Sequence, residues 1–98
     1  MIVMFDLPVS EKPQRKAATD FRNFLLDQGF GMAQFSVYYR LVSGLEAAQA
    51  MENKINNCLP DEGKVNILTI TDKQYERMQT YVGKLYDPPK KQEQLQLF

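Results

Sequence analysis

The chain opens with Met1, Ile2, Val3, Met4, Phe5 and Asp6. Alternation places Ile2, Met4 and Asp6 on one side and Val3 and Phe5 on the other, so both faces are apolar until the carboxylate. That pattern predicts a central strand covered on both sides and closed by Leu7-Pro8. Residues 10–28 predict a helix. Ser10 supplies an N-cap, Glu11 complements the first-turn dipole, and Pro13 is tolerated only because it sits in that turn. Ala17, Phe21, Phe24, Leu25 and Gln28 share one face, Lys16, Asp20, Asn23 and Asp27 the other, and Gly29 is the stop. Residues 31–42 then alternate as a half-buried strand, with Phe35, Val37, Tyr39 and Leu41 on the apolar side and Gln34, Ser36, Tyr38 and Arg40 opposite. The stretch is long for one strand. Two short strands, near 31–34 and 37–42, are the alternative, although no Asn-Gly or Asp-Gly marks a turn between them.

Ser43-Gly44-Leu45-Glu46 has the form of a capping box, and Leu45, Ala48, Met51 or Glu52, Ile55 and Leu59 continue it as a helical stripe that Pro60 and Gly63 close. Residues 64–71 are rich in β-branched side chains and predict a strand. Thr71-Asp72-Lys73-Gln74 is a second capping box, opening a short helix whose Tyr75, Met78 and Val82 are expected inside. Residues 81–86 suggest one more edge strand, and Pro88-Pro89 ends the domain. The expected organisation is a folded unit over 1–87 and a tail over 88–98. Strands and helices alternating on so short a chain imply an α+β, ferredoxin-like βαββαβ sandwich with an extra C-terminal edge strand. Its two helices cover one face of an antiparallel sheet. Ile2, Met4, Asp6, Tyr38 and Leu68 are expected on the other face, for which the chain has no third layer. A second copy of the chain is the default cover, making a homodimer.

Composition narrows the chemistry. The chain has 98 residues, 44% of them hydrophobic, enough for one core and too few for two. Its longest apolar run is Met1–Phe5, so no membrane span is expected, and the single cysteine, Cys58, fits a reducing compartment such as the cytoplasm. Cys58 itself reads as a small buried apolar residue near a helix end. There are no histidines, which excludes a Ser-His-Asp triad, a Cys-His dyad and histidine-based ribonuclease chemistry within this chain. Catalysis must come from carboxylates, Lys, Arg, Tyr, hydroxyls or a hard metal held by oxygen. Twelve basic and twelve acidic residues cancel, so nucleic-acid binding requires charge sorted by surface.

Asp6 is the most informative position. A carboxylate at the end of a buried strand is either a turn former or the ligand of a hard cation. One carboxylate is a poor cage for Mg²⁺, but two copies of Asp6 meeting across a dimer axis suffice to hold one ion that polarises a phosphate or generates hydroxide. Arg15, Lys16 and Arg22 follow on the first helix, with Lys12 just before them. They are a solvated helix face or phosphate contacts beside Asp6, Arg offering bidentate and Lys point-charge contacts. Tyr39 is expected in the core, while Tyr38, sharing a face with Ser36 and Arg40, is free to reach a partner or a base. Tyr75 and Tyr81 read as packing residues. Leu95, Leu97 and Phe98 cluster among glutamines after Lys90-Lys91 and predict an anchor for a partner protein, the other reading being a frayed terminus.

FDLP closing the first strand, then QRKAATDFRNFLLDQGF, MAQFSVYYR and LPDEGKVNILTITDKQYERM before Gly83, resembles the small CRISPR-associated adaptation protein of the Cas-two family, most closely its type II branch. The resemblance runs over about residues 1–83. It implies a ferredoxin-like homodimer that is the central scaffold for spacer DNA acquisition, flanked by the integrase subunit, the Cas-one protein, with duplex prespacer DNA across the assembly. It also implies a Mg²⁺-dependent endonuclease acting on RNA or double-stranded DNA. Asp6 then corresponds to the catalytic metal ligand facing its symmetry mate. Arg15 and Lys16 correspond to the basic residues that follow the strand, and Arg22 and Arg40 are further candidates for nucleic-acid contact. Gln34, Ser36, Val37 and Tyr38 match the Gln-x-Ser-Val-aromatic pattern. Phe5 departs from the family, many of whose members have Tyr before the Asp. Two other readings remain at this level: a catalytically silent DNA-binding scaffold, and a ferredoxin-like regulatory dimer without nucleic acid.

Overall fold

In the computed structural model, which describes residues 1–87, the chain runs β1 (Ile2–Asp6), α1 (Lys12–Asp27), β2 (Gly31–Gln34), β3 (Val37–Tyr39), α2 (Leu45–Asn56), β4 (Lys64–Leu68) and α3 (Asp72–Glu76). The strands form one sheet in the order β2-β3-β1-β4. Every neighbouring pair is antiparallel. This is the ferredoxin-like α+β arrangement. β1 is central, and the β1–α1–β2 crossover skips a place that β3 later fills.

Alternation along β1 sorts the layers. Met1 and Val3 are buried, and Phe5 packs against the same cluster from its edge. From α1 come Phe21 and Leu25, from α2 Ala48, Met51 and Ile55, and from β3 Tyr38. Leu25, Ile55 and Val3 are fully enclosed. Aromatic rings fill the space between sheet and helix: Phe5 meets Phe21 edge-on at 5.4 Å and stacks with Tyr38 at 5.7 Å. Offset and edge-on contacts of this kind add about 0.5–1.5 kcal/mol beyond burial.

The helix ends are built differently from the sequence expectation in two places. α1 starts on Glu11, not Ser10; Gln14 Oε1 accepts the Glu11 N–H at 3.0 Å. Ser10 stays in the loop, where its carbonyl accepts from Arg15. At the other end Gly29, with φ +88°, terminates α1 as expected. The N–H of Phe30 reaches the carbonyl of Leu25 and that of Gly29 reaches Leu26, both at 3.0 Å, a Schellman closure. α2 is preceded by Gly44 at φ +125° and has no side-chain cap, so Ser43-x-x-Glu46 makes no capping box. The box at Thr71 is real: Gln74 N–H donates to Thr71 Oγ1 at 3.1 Å, and Thr71 N–H to Gln74 Oε1 at 2.9 Å.

Of the two readings of 31–42, the pair of short strands is correct. A turn at Phe35 and Ser36 joins them, with Ser36 at φ +62° and a register shift between Met32 and Gln34. The face assignment is reversed, however. Tyr38 is 1% exposed and lies in the helix-side core, while Tyr39 and Val37 lie with Ile2 and Met4 on the face that neither long helix covers. α3 leans on that second face through a Tyr39–Tyr75 stack at 4.6 Å. Met78 and Val82 are exposed, as is Tyr81. Residues 81–87 form no strand: Tyr86 N–H donates to the Gly83 carbonyl at 3.2 Å, closing a turn where an edge strand was expected. Cys58 is also exposed, not buried, because α2 ends at Asn56 and its stripe does not extend to the cysteine. No helix among the described residues is long and apolar enough to cross a membrane.

Candidate active site

Asp6 is the last residue of the central strand and is exposed. It follows Ile2 and Met4 on the side of the sheet opposite α1 and α2, so its carboxylate opens onto the face without a third layer. Lys64 is its direct cross-strand partner in β4. Behind the pair sits Gly63, at φ +93°. A Cβ there would lie 2.7 Å from the backbone oxygen of Asp6 and 2.7 Å from Leu7 Cδ2. Only glycine allows the loop before β4 to pass this close, and that close passage sets the register that brings Lys64 opposite Asp6.

Among the described residues no three Asp, Glu or Cys side chains gather into a metal cage. The donor chemistry at Asp6 is nonetheless that of a hard cation: an open carboxylate with no cation bonded to it. Mg²⁺ is commonly held by one or two carboxylates plus water and substrate phosphate. An exposed carboxylate at a strand end suits such an ion, with water and a phosphate as the remaining ligands, and a second Asp6 facing it would add the other carboxylate.

The sequence-selected cations fall into two groups. α1 runs antiparallel to β1, so its first turns lie near the Asp6 end. Arg15 Nη1 donates to the carbonyls of Val9 at 3.2 Å and Ser10 at 3.0 Å, tying down the loop that leaves Asp6. Lys16 pairs with Asp20 at 2.8 Å on an exposed helix surface. Arg22 is half-buried; its Nη2 makes a long contact of 3.4 Å to Thr19 Oγ1, and its Nε has no partner. Arg15 and Thr19 line two adjoining depressions, one reaching Lys12 and Lys16, the other Arg22. Lys12, Arg15, Lys16 and Arg22 thus line neighbouring depressions along α1, with Asp20 paired to one of them. Apart from these, Gln14 Nε2 donates to Glu62 beside Asp61.

Arg40 does not join this group. Its amide bonds to the Met1 carbonyl, at the start of β1, which puts it about 16 Å from Asp6 at some 3.3 Å per strand residue. Its side chain lies against Gly29. Tyr38 is removed from any surface, and its hydroxyl is buried without a hydrogen-bond partner. Burial raises the Tyr38 pKa, and the nearby Arg22 charge opposes that rise. Phe5, whose ring points into the same aromatic cluster, is a packing residue here. Leu95, Leu97 and Phe98 lie outside the described residues. The sequence reading takes Gly63 only as the close of the second helix and does not single out Lys64. A Gly-Lys step before a β-branched run is visible in the sequence, but the register that gives it meaning is not.

Fold and site together define a small antiparallel α+β sandwich with an open acidic strand end, a sheet face that neither long helix covers and a group of cations along the first helix. The family model described as CRISPR associated protein Cas2 matches residues 1–78, and the chain belongs to that family. It is 50% identical over 91 residues to a "CRISPR-associated endoribonuclease Cas2" of Paracidovorax avenae, covering 93% of this chain and 84% of the relative. Proteins of the same name from Flavobacterium psychrophilum and Parvibaculum lavamentivorans are 42% and 43% identical; each match spans 100% of this chain and 86% and 98% of the relative, respectively.

Proposed function

We propose that the chain is a homodimeric, metal-dependent endonuclease and, in the cytoplasm, the central scaffold of spacer acquisition. Two copies pair through the sheet faces that their long helices leave uncovered and bring the two Asp6 carboxylates together around one Mg²⁺. The observation that carries this reading is the position of Asp6: open, at the end of the central strand, on an apolar face with Ile2, Met4, Val37 and Tyr39 that no long helix covers. The name carried by the relatives, endoribonuclease, supports RNA as a substrate, with double-stranded DNA the alternative.

Magnesium, when bound, polarises a phosphodiester and lowers the pKa of a coordinated water. The chain's own residues do the rest. Asp6 supplies the anionic oxygen ligands. Arg15 holds the Leu7–Ser10 loop so that the carboxylate keeps its direction. Lys12, Lys16 and Arg22 offer cations to the nucleic-acid backbone, which fixes position and carries no sequence information. Neutral total charge implies modest affinity for nucleic acid by one dimer alone. Duplex prespacer DNA is held in concert with the integrase subunit, which residues 92–98, with Leu95, Leu97 and Phe98, help to dock.

The test compares wild type with Asp6→Asn on labelled RNA and duplex DNA, with Mg²⁺ and with EDTA. Loss of a direct metal ligand is expected to lower cleavage by about 100-fold or more, the upper end of what weaker perturbations of metal sites cost. Equal cleavage by both proteins, or cleavage in EDTA, overturns the nuclease reading. Undiminished spacer capture by Asp6→Asn, with the integrase present, makes the scaffold role independent of catalysis.

A further inference from the structure

Within the site just proposed, one cation differs from the others. Lys12, Arg15, Lys16 and Arg22 all belong to α1 or its first turn, and α1 covers the face of the sheet opposite Asp6. Lys64 shares the face of Asp6. The two are register partners in an antiparallel pair, which puts their Cβ atoms about 4.5–5.5 Å apart. Yet they form no ion pair: among the described residues the single salt bridge is Lys16–Asp20. Lys64 is exposed and, among the described residues, makes no side-chain hydrogen bond. Its side chain therefore leaves the strand beside Asp6 and is uncommitted there.

An RNA strand approaching Asp6 brings negative charge toward negative charge, and at short range that repulsion must be offset locally, since charges farther than about 8–10 Å are screened by physiological salt. The α1 cations lie on the other side of the sheet and reach the site only around its edge, and Arg15 is engaged with backbone carbonyls. We propose that Lys64 is a phosphate-binding residue of the Asp6 site, its ammonium contacting the RNA phosphate adjacent to the one presented to the carboxylates. This rests on the nuclease reading for its substrate, but its test does not depend on turnover. Gly63 acts through it as a positioning residue, because the close pass of its backbone against Asp6 fixes where Lys64 stands.

β4 is an edge strand, and lysine on an edge also discourages unwanted strand pairing. The experiment separates the two roles. Binding of a labelled single-stranded RNA oligonucleotide is followed by fluorescence anisotropy in EDTA, where metal-dependent cleavage is silent, across a salt series, for wild type, Lys64→Ala and Lys64→Arg. Removing one phosphate contact is expected to weaken binding about 5-fold and to reduce the slope of log affinity against log salt by about 0.7, with Lys64→Arg retaining most of both. Unchanged affinity and slope in Lys64→Ala overturn the proposal, and the appearance of larger assemblies with an unchanged slope overturns it in favour of the edge-blocking role. If Asp6→Asn cleaves RNA as wild type does while Lys64→Ala binds it weakly, the nuclease reading fails and the phosphate contact stands.

Discussion

Gly63 has no room for a side chain. With φ at +93° and a hypothetical Cβ 2.7 Å from a backbone oxygen, Gly63→Ala is both strained and overpacked. A non-glycine residue held in this region costs about 1–3 kcal/mol. Chemical denaturation should show a lower midpoint with an unchanged m-value, and a midpoint equal to wild type contradicts the tight approach. Tyr38 carries the opposite expectation. Its hydroxyl is buried and unpartnered, and an unsatisfied buried group of this kind costs about 1–3 kcal/mol. Tyr38→Phe should therefore be as stable as wild type or more so. The pH dependence follows the same group. Burial raises the folded pKa above the ordinary value of 10.0, so the folded state holds the proton more tightly than the unfolded one. Its contribution is complete below pH 10.0 and is lost as pH rises through the folded value. Thermal melts above pH 10.0 should fall more steeply for wild type than for Tyr38→Phe; parallel falls would sever the link to this residue.

At the scale of elements, α3 is short and has no buried residue. The Tyr39–Tyr75 stack joins it to the sheet, and Thr71 caps it. Thr71→Ala should weaken it by about 1 kcal/mol. Hydrogen exchange then accelerates at Tyr75 and Arg77, whose amides bond within the helix, while the β1 amides stay protected. Equal acceleration in β1 would mean that α3 unfolds only with the whole domain. The existence and order of these elements were legible in the sequence. β1 announced itself by five apolar residues, α1 by its stripe and Gly29, and α3 by a true capping box. What failed was the choice of face. Val37 and Tyr39 lie on the sheet face opposite α1 and α2, and apolar residues there look the same in sequence as residues facing the core. Cys58 and Leu59 failed because α2 stops at Asn56, before its apolar stripe does. Asp6 stands out in the sequence as a charge ending an apolar run, and the structure places it exposed at the end of β1. Lys64 was missed because cross-strand register is set by Gly63 and the whole sheet, and no local pattern encodes it.

For the whole molecule, the sheet has two apolar faces and the described chain provides long helices for only one. Leu68 is 48% exposed on the uncovered side, beside the half-buried Ile2, Met4 and Tyr39. Replacing Met4 by Lys would put a charge in the centre of that face without touching the helix-side core. Sedimentation should then show the dimer dissociating, with the near-native circular dichroism of a folded protomer; an unchanged sedimentation coefficient would place the interface elsewhere. If two chains share one ion through paired Asp6, titration of the protein with Mn²⁺, a spectroscopic substitute for Mg²⁺, should show one tight ion for every two chains and its loss in Asp6→Asn. One ion per chain, or tight binding retained in Asp6→Asn, would contradict the shared ion.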